Sequence, residues 1–182
     1  MKNIIVVIVA ALFSFTAAAQ ITKVSLQASG LTCSMCSNAI NKSLKSIDFV
    51  NNVDANIKNS TFDISFKPGS AVDLDKLKKK VEDAGFFVAK MDVDINFDNV
   101  AIANDSHVIV NGNTFHFLAT KDQTLNGNKT VRILDKGFVS AKEYKKNSKL
   151  TLMECYKTGV AGSCCAKDGL TAGTRIFHVS IS

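Results

Sequence analysis

The stretch GLTCSMCSNAI, residues 30–40, determines how the first half of the chain is interpreted. It places two thiols three residues apart, Cys33 and Cys36, after a glycine and at the start of a run with helical spacing. Immediately upstream, the apolar residues of positions 24–28 alternate with polar ones, which predicts a strand with one buried face. We therefore expect the two cysteines in a strand-to-helix loop, with Cys36 in the first helical turn.

The pattern downstream of the cysteines completes a small α+β unit. Asp73 is placed to cap a second helix, and Gly85 follows where a helix end favours a positive φ. The predicted elements are a strand, a helix, two strands, a helix and a strand, at positions 24–28, 36–47, 53–57, 62–66, 74–84 and 87–91. This β-α-β-β-α-β order is the ferredoxin-like arrangement, which we expect over residues 20–91.

The paired cysteines suit a soft metal ion. A thiolate near a helix N-terminus is stabilised by unpaired backbone N–H groups and by the positive end of the helix dipole. Two sulfurs that turn toward one point match Cu(I), which accepts purely sulfur ligation. Zn(II) prefers four ligands, and this loop has no His, Asp or Glu near the cysteines. Two other uses of Cys33 and Cys36 remain as alternatives: a structural disulfide and a thioredoxin-type redox pair.

At this point a family resemblance becomes clear. Residues 22–91 resemble the heavy-metal-associated domain, which occurs in copper chaperones, in the N-terminal arms of copper-pumping ATPases and in the periplasmic mercury-binding protein. The family loop G-M-T-C-x-x-C corresponds to GLTCSMC at residues 30–36. The family motif aGY or aGF before the last strand corresponds to AGF at residues 84–86.

The resemblance implies roles for several side chains of the loop. Cys33 and Cys36 would be the metal ligands, and Phe86 would lie near them. Leu31 replaces the family methionine, which packs under the loop, and a leucine of similar volume should support the loop equally well. Met35 is interpreted as an exposed loop residue, with a weak third thioether ligand as the alternative.

The second half, residues 92–182, shows strand and turn signals and no recognised family motif. The alternation of the fourth strand continues through Phe97 without a linker, and its acidic residues are interpreted as the polar face of a strand. Asn111-Gly112 between apolar runs predicts a hairpin. Further strands are predicted at 129–134, 151–156 and 174–181, with a short helix capped by Ser140. Five strands and one helix predict a small OB-like barrel.

Three of the five cysteines lie late in the chain, at Cys155, Cys164 and Cys165. Adjacent cysteines rarely bond each other because the ring is strained. Three interpretations stay open: a second soft-metal site formed by all three, a disulfide from Cys155 to one of the other two, and thiols without a role. His107 and His116 are interpreted as strand residues with ordinary hydrogen bonds.

The N-terminus indicates export. Residues 1–19 have a basic start, a short apolar run and a small-residue cleavage site, which predicts a signal peptide cut near Ala19/Gln20. The protein would then be periplasmic or secreted, and no later stretch is apolar enough to span a membrane. The net charge is +6, but the lysines are scattered, so they are interpreted as a solvated surface and no nucleic-acid partner is expected.

These features predict an exported soft-metal-binding protein, most simply a Cu(I) carrier or scavenger that passes its ion by ligand exchange. The partner would be a copper-accepting protein or the chain's own C-terminal domain. No catalytic triad, phosphate loop or carboxylate pair is present, so no enzyme activity is expected. The alternatives are a binder of Hg(II) or another soft metal, a thiol–disulfide redox protein, and a structural or adaptor protein.

Overall fold

The computed structural model describes residues 19–31 and 34–182, and their strands form one mixed sheet. The strands are β1 Gln20–Ser29, β2 Val50–Asn56, β3 Thr61–Phe66, β4 Phe87–Ile102, β5 Ser106–Val110, β6 Asn113–Phe117, β7 Gln123–Ile133 and β8 Ile176–Ile181. The helices are α1 Ser34–Lys45, α2 Leu74–Asp83, α3 Ala141–Asn147 and α4 Cys155–Thr158, followed by a 3₁₀ helix, Ser163–Asp168. Apart from Ala19, the predicted signal peptide lies outside the described residues.

The first half has the predicted ferredoxin-like arrangement. Its strands lie in the order β2-β3-β1-β4, all antiparallel, and α1 and α2 contact each other. The buried helix residues follow helical spacing: Ser37, Ile40 and Leu44 on α1, and Leu74, Leu77 and Val81 on α2. Asp73 caps α2 as predicted, with its Oδ1 accepting a hydrogen bond from Lys76 N at 2.9 Å. Gly85 ends the helix with φ +88°.

The fourth strand continues without a break into the second half. β4 spans 16 residues, and its polar face carries the acidic side chains seen in the sequence. Asp92 accepts a hydrogen bond from Arg132 Nε at 2.9 Å, and Asp94 accepts one from Thr130 Oγ1 at 2.6 Å. The interpretation of the acidic run as one face of a strand is confirmed.

The remaining strands extend the same sheet in the order β4-β7-β8-β6-β5. The predicted hairpin is present: β5 and β6 are joined by Asn111 and Gly112, both with positive φ, as a tight hairpin turn requires. β6 and β8 pair in parallel, whereas the other pairings between these five strands are antiparallel. The OB-like barrel is not confirmed, because these strands add to an existing sheet edge instead of building a separate barrel.

The predicted strand over 151–156 is wrong, because this segment ends in helix α4. Cys155 and Tyr156 are both buried, and consecutive residues of a strand would point to opposite faces. Leu152, in contrast, is 99% exposed. Gly159 adopts φ +74° and ends the helical turn.

Side-chain contacts also join the two halves of the chain. The domain boundary between residues 91 and 92 stays a prediction. Arg175 Nε lies 2.7 Å from Asp75 Oδ2 on α2. Asn113 Nδ2 donates a hydrogen bond to the Val72 carbonyl at 2.8 Å. Both contacts fix the second half against the start of α2.

Among the helices of residues 19–31 and 34–182, none is long and apolar enough to cross a membrane.

We predict that Leu77→Ala lowers the free energy of unfolding by about 2–5 kcal/mol, because it removes methyl groups from a fully buried site. Leu152→Ala is the matched control, since this leucine is 99% exposed and should cost less than about 0.5 kcal/mol. Urea unfolding followed by circular dichroism measures both. Equal losses in the two variants would contradict the assignment of Leu77 to the core.

Candidate metal sites

The loop after β1 holds the first candidate site. Gly30 has φ +83°, a conformation that glycine adopts at little cost and that turns the chain from β1 toward α1. Cys36 lies in the first turn of α1, as predicted, and is partly buried. Cys33 lies outside the described residues, so its approach to Cys36 stays a prediction.

The side chains around this loop agree with the roles assigned to them. Met35 is 81% exposed, as expected of a residue that faces solvent. Leu31 packs against the main core. A methyl group placed on Gly30 would lie 4.0 Å from Phe86 Cδ1, so Phe86 lies beside the loop. The first turn of α1 contains no acidic residue that would disfavour a thiolate.

The three late cysteines form the second candidate site. Cys155 begins α4, and Cys164 and Cys165 lie in the following 3₁₀ helix. The three sulfurs lie within 4.8 Å of one another, and the two adjacent cysteines have Sγ atoms 3.5 Å apart. Cys155 and Cys165 are buried, whereas Cys164 is half-buried. The structure has all three as thiols, and their role as ligands stays a prediction.

All three histidines of the chain lie beside these cysteines. His107 on β5 is paired in register with His116 on β6, and His116 is paired with His178 on β8. The imidazoles of His107 and His116 stack at 4.3 Å between centroids, and those of His116 and His178 meet edge-on at 5.0 Å. We call this row across three adjacent strands the histidine ladder. Its side chains are almost entirely buried.

An aspartate fixes one nitrogen of each histidine. The pairs are His107 Nδ1–Asp168 Oδ2 at 2.5 Å, His116 Nε2–Asp105 Oδ1 at 3.1 Å and His178 Nδ1–Asp135 Oδ1 at 2.6 Å. Such a contact orients the ring and favours the tautomer with the proton on the bonded nitrogen. The opposite nitrogen is then left as an acceptor.

The opposite nitrogens turn toward Cys155. His178 Nε2 lies 3.5 Å from Cys155 Sγ, and His116 Nδ1 lies 3.7 Å from the same sulfur. A ring nitrogen of His107 is within 4.8 Å of both His116 and Cys155 ligand atoms. His107 Nε2 is buried and has no hydrogen-bond partner within the described part of the chain.

The thiols differ in how easily they ionise. Burial raises the pKa of Cys155, and the neighbouring Cys165 thiol adds to the rise. Burial likewise raises the pKa of Cys165. Partial burial also opposes ionisation of Cys164, but hydrogen bonds to the Cys155 backbone and the Cys165 side chain outweigh it and lower the pKa of Cys164. Cys164 is therefore the first of the three to become a thiolate.

His116, the middle residue of the ladder, is neutral near pH 7. Burial, followed by repulsion from His178 and His107, lowers the pKa of His116 to about 3, and Asp105 offsets this only in part. A neutral imidazole can bind a cation without losing a proton, whereas a thiol releases its proton when it binds.

The sequence interpretation missed the histidine ladder, although part of it was accessible. A two-residue turn at Asn111-Gly112 sets the hairpin register, and that register places His107 opposite His116. The pairing of β6 with β8 joins segments about sixty residues apart in sequence, and no local pattern specifies it.

A comparison with family models identifies the first half. Residues 25–87 match the heavy-metal-associated domain. This segment belongs to that family. The match confirms the resemblance carried by the cysteine loop. It ends at residue 87, before the strands that carry the histidine ladder.

Solved structures of metal-handling proteins resemble part of the chain. They include the CopZ metallochaperone (26% identity, 37% of this chain and 100% of that chain, TM-score 0.35), the yeast copper transporter domain Ccc2a in its apo and Cu(I)-loaded states (30%, 37% and 90%, 0.33) and oxidized MerP from Ralstonia metallidurans CH34 (28%, 40% and 96%, 0.35). No curated protein matches the chain significantly.

We predict that metal-free protein loses stability as the pH falls from 6.5 toward 3. In this window the unfolded chain protonates His116, whose ordinary pKa is 6.5, whereas the folded protein excludes the proton. Where only the unfolded state is protonated, the free energy of unfolding falls by about 1.4 kcal/mol per pH unit.

Urea unfolding between pH 7 and 5, with a chelator present, measures this slope for wild type and His116→Gln. The variant should have a shallower slope, because the substituted side chain does not titrate. Other groups contribute equally to both proteins, so identical slopes would contradict the assignment.

Proposed function

We propose that this chain is an exported Cu(I)-binding protein that carries or scavenges copper through Cys33 and Cys36. The observation that carries the proposal is the family match of residues 25–87, which includes a CxxC loop at the start of α1. Two thiolates supply all the ligands that Cu(I) requires, and the N-terminus of α1 favours their ionised form. The wider class, a soft-metal ion as cargo, follows from the same chemistry.

Transfer would occur by ligand exchange. A thiolate from an acceptor enters the coordination shell, a three-sulfur intermediate forms, and one of the two original cysteines leaves. The position of Cys36 in a partly exposed first turn, next to the exposed Met35, supports access by such an acceptor. The acceptor would be a copper-accepting protein or the chain's own second half. No catalytic activity is proposed.

The binding test is an anaerobic Cu(I) titration of reduced protein against a chromophoric chelator. Replacing both loop cysteines (Cys33→Ser with Cys36→Ser) should weaken binding at this site by more than about 100-fold, or about 2.7 kcal/mol. Met35→Leu is the matched control: it removes an exposed thioether of similar size and should leave the affinity unchanged. If Met35→Leu weakened Cu(I) binding as much as the double cysteine variant, the result would show that the Met35 thioether is a ligand.

The same samples separate the alternatives. Binding of Hg(II) without tight binding of Cu(I) would replace copper by mercury as the cargo. Failure to bind either ion, together with reduction of a model disulfide, would replace the carrier by a redox protein. Failure in all three assays would leave a structural or adaptor role.

Export is tested by the N-terminus of the protein recovered from cells. We predict cleavage after Ala19, because β1 begins at Gln20 and a cut there leaves the strand intact. Mass spectrometry of the periplasmic or culture fraction should give a chain that starts at Gln20. Recovery of uncleaved chain from the cytoplasm alone would contradict export.

A further inference from the structure

The three late cysteines lie next to further possible metal ligands, the imidazoles of the histidine ladder. Cys155 is the point at which the three late cysteines contact the histidine ladder. Cys155 belongs to two groups of possible ligands: one with Cys164 and Cys165, and one with His107 and His116. Within each group the ligand atoms lie within 4.8 Å of one another.

The distances around Cys155 are those between ligands of one ion. With metal–sulfur bonds of about 2.3 Å and metal–nitrogen bonds of about 2.0 Å, a sulfur and a nitrogen in tetrahedral coordination lie about 3.5 Å apart. Cys155 Sγ lies 3.5 Å from His178 Nε2 and 3.7 Å from His116 Nδ1. Two sulfurs on the same kind of ion lie about 3.8 Å apart, and those of Cys164 and Cys165 are 3.5 Å apart.

The outer contacts of the histidines have the pattern of metal ligands. In metal sites, a ligating histidine generally gives its other nitrogen to a carboxylate or carbonyl, which orients the ring and raises its basicity. Each histidine of the ladder has such a carboxylate: Asp168, Asp105 and Asp135.

A purely structural role does not account for all three inner nitrogens. His107 Nε2 is buried and has no hydrogen-bond partner among the described residues, which costs free energy unless a ligand satisfies it. The partner of His116 Nδ1 and of His178 Nε2 is the sulfur of Cys155, and a thiol is only a weak hydrogen-bonding group. A bound cation would satisfy the nitrogens and the sulfurs together.

We propose that Cys155 is the shared ligand of a buried metal centre, distinct from the CxxC loop, whose ion takes up to four donors from the late cysteines and the imidazoles of the histidine ladder. Its ion is a thiophilic d¹⁰ cation, Cu(I) or Zn(II), because these ions accept both thiolate and imidazole. Cys155 is the central ligand. Cys164, the only half-buried member of the three late cysteines, lies on the side by which the ion enters. The centre does not depend on the function proposed for Cys33 and Cys36.

The experiment uses the full mature chain with Cys33→Ser and Cys36→Ser, which removes the first site. This protein is reduced, kept anaerobic and titrated separately with Cu(I) and with Zn(II), with native mass spectrometry for stoichiometry. We expect at least one ion per chain, and X-ray absorption at the metal edge should show both sulfur and nitrogen in its first shell. The titration that gives tight binding identifies the ion.

Two results would overturn the proposal. The first is that neither ion binds stoichiometrically to this variant, and the second is a first shell that contains only sulfur or only light atoms. In the first case, tight binding by the wild type would leave the proposed copper carrier intact.

Single substitutions in the same background test the ligands. Cys164→Ser, at a half-buried position, should weaken binding by more than about 10-fold, and Ser163→Ala, at the exposed neighbouring position, should not change it. His107→Gln should lower the number of nitrogen ligands in the metal's first shell without abolishing folding. Circular dichroism of the metal-free variants confirms that they fold, and unchanged affinity in both Cys164→Ser and His107→Gln would overturn the ligand assignment.

Discussion

The backbone ladder along β4 is the constraint on which the rest of the structure depends. Over residues 92–96 this strand pairs with β1 on one edge and with β7 on the other, so the same stretch of strand joins both halves. Its buried residues alternate through the boundary, and Val93, Ile95 and Phe97 all join one core. The heavy-metal-associated domain therefore ends in a strand that also anchors the sheet carrying the histidine ladder.

The two groups of thiols occupy opposite environments, and this difference separates what each can do with an ion. Cys36 lies in the first turn of α1 and is partly exposed. Cys155 and Cys165, in contrast, have almost no exposed surface. An incoming thiol therefore reaches Cys36 more readily than Cys155 or Cys165.

The first half could be predicted from sequence because each of its signals is local. The alternation of β1, the Asp73 cap and the position of Gly85 each depend on a few neighbouring residues, and all are present in the structure. The second half depends on contacts between distant segments. The sequence near Cys155 alternates as a strand would, yet burial of both Cys155 and Tyr156 stabilises a helical turn. The histidine ladder likewise requires a parallel pairing that no local pattern encodes.

The charge balance of the buried cluster links it to the first half. Asp135 is nearly buried and would be costly as an isolated anion, but Arg175 Nη1 lies 3.2 Å from its Oδ2. Arg175 also pairs with Asp75 on α2, so the position of that helix determines where the guanidinium lies. Asp135 in turn orients His178 toward Cys155. A continuous set of polar contacts therefore extends from α2 to the central sulfur. The orientation of that imidazole consequently depends on the packing of the domain that carries the CxxC loop.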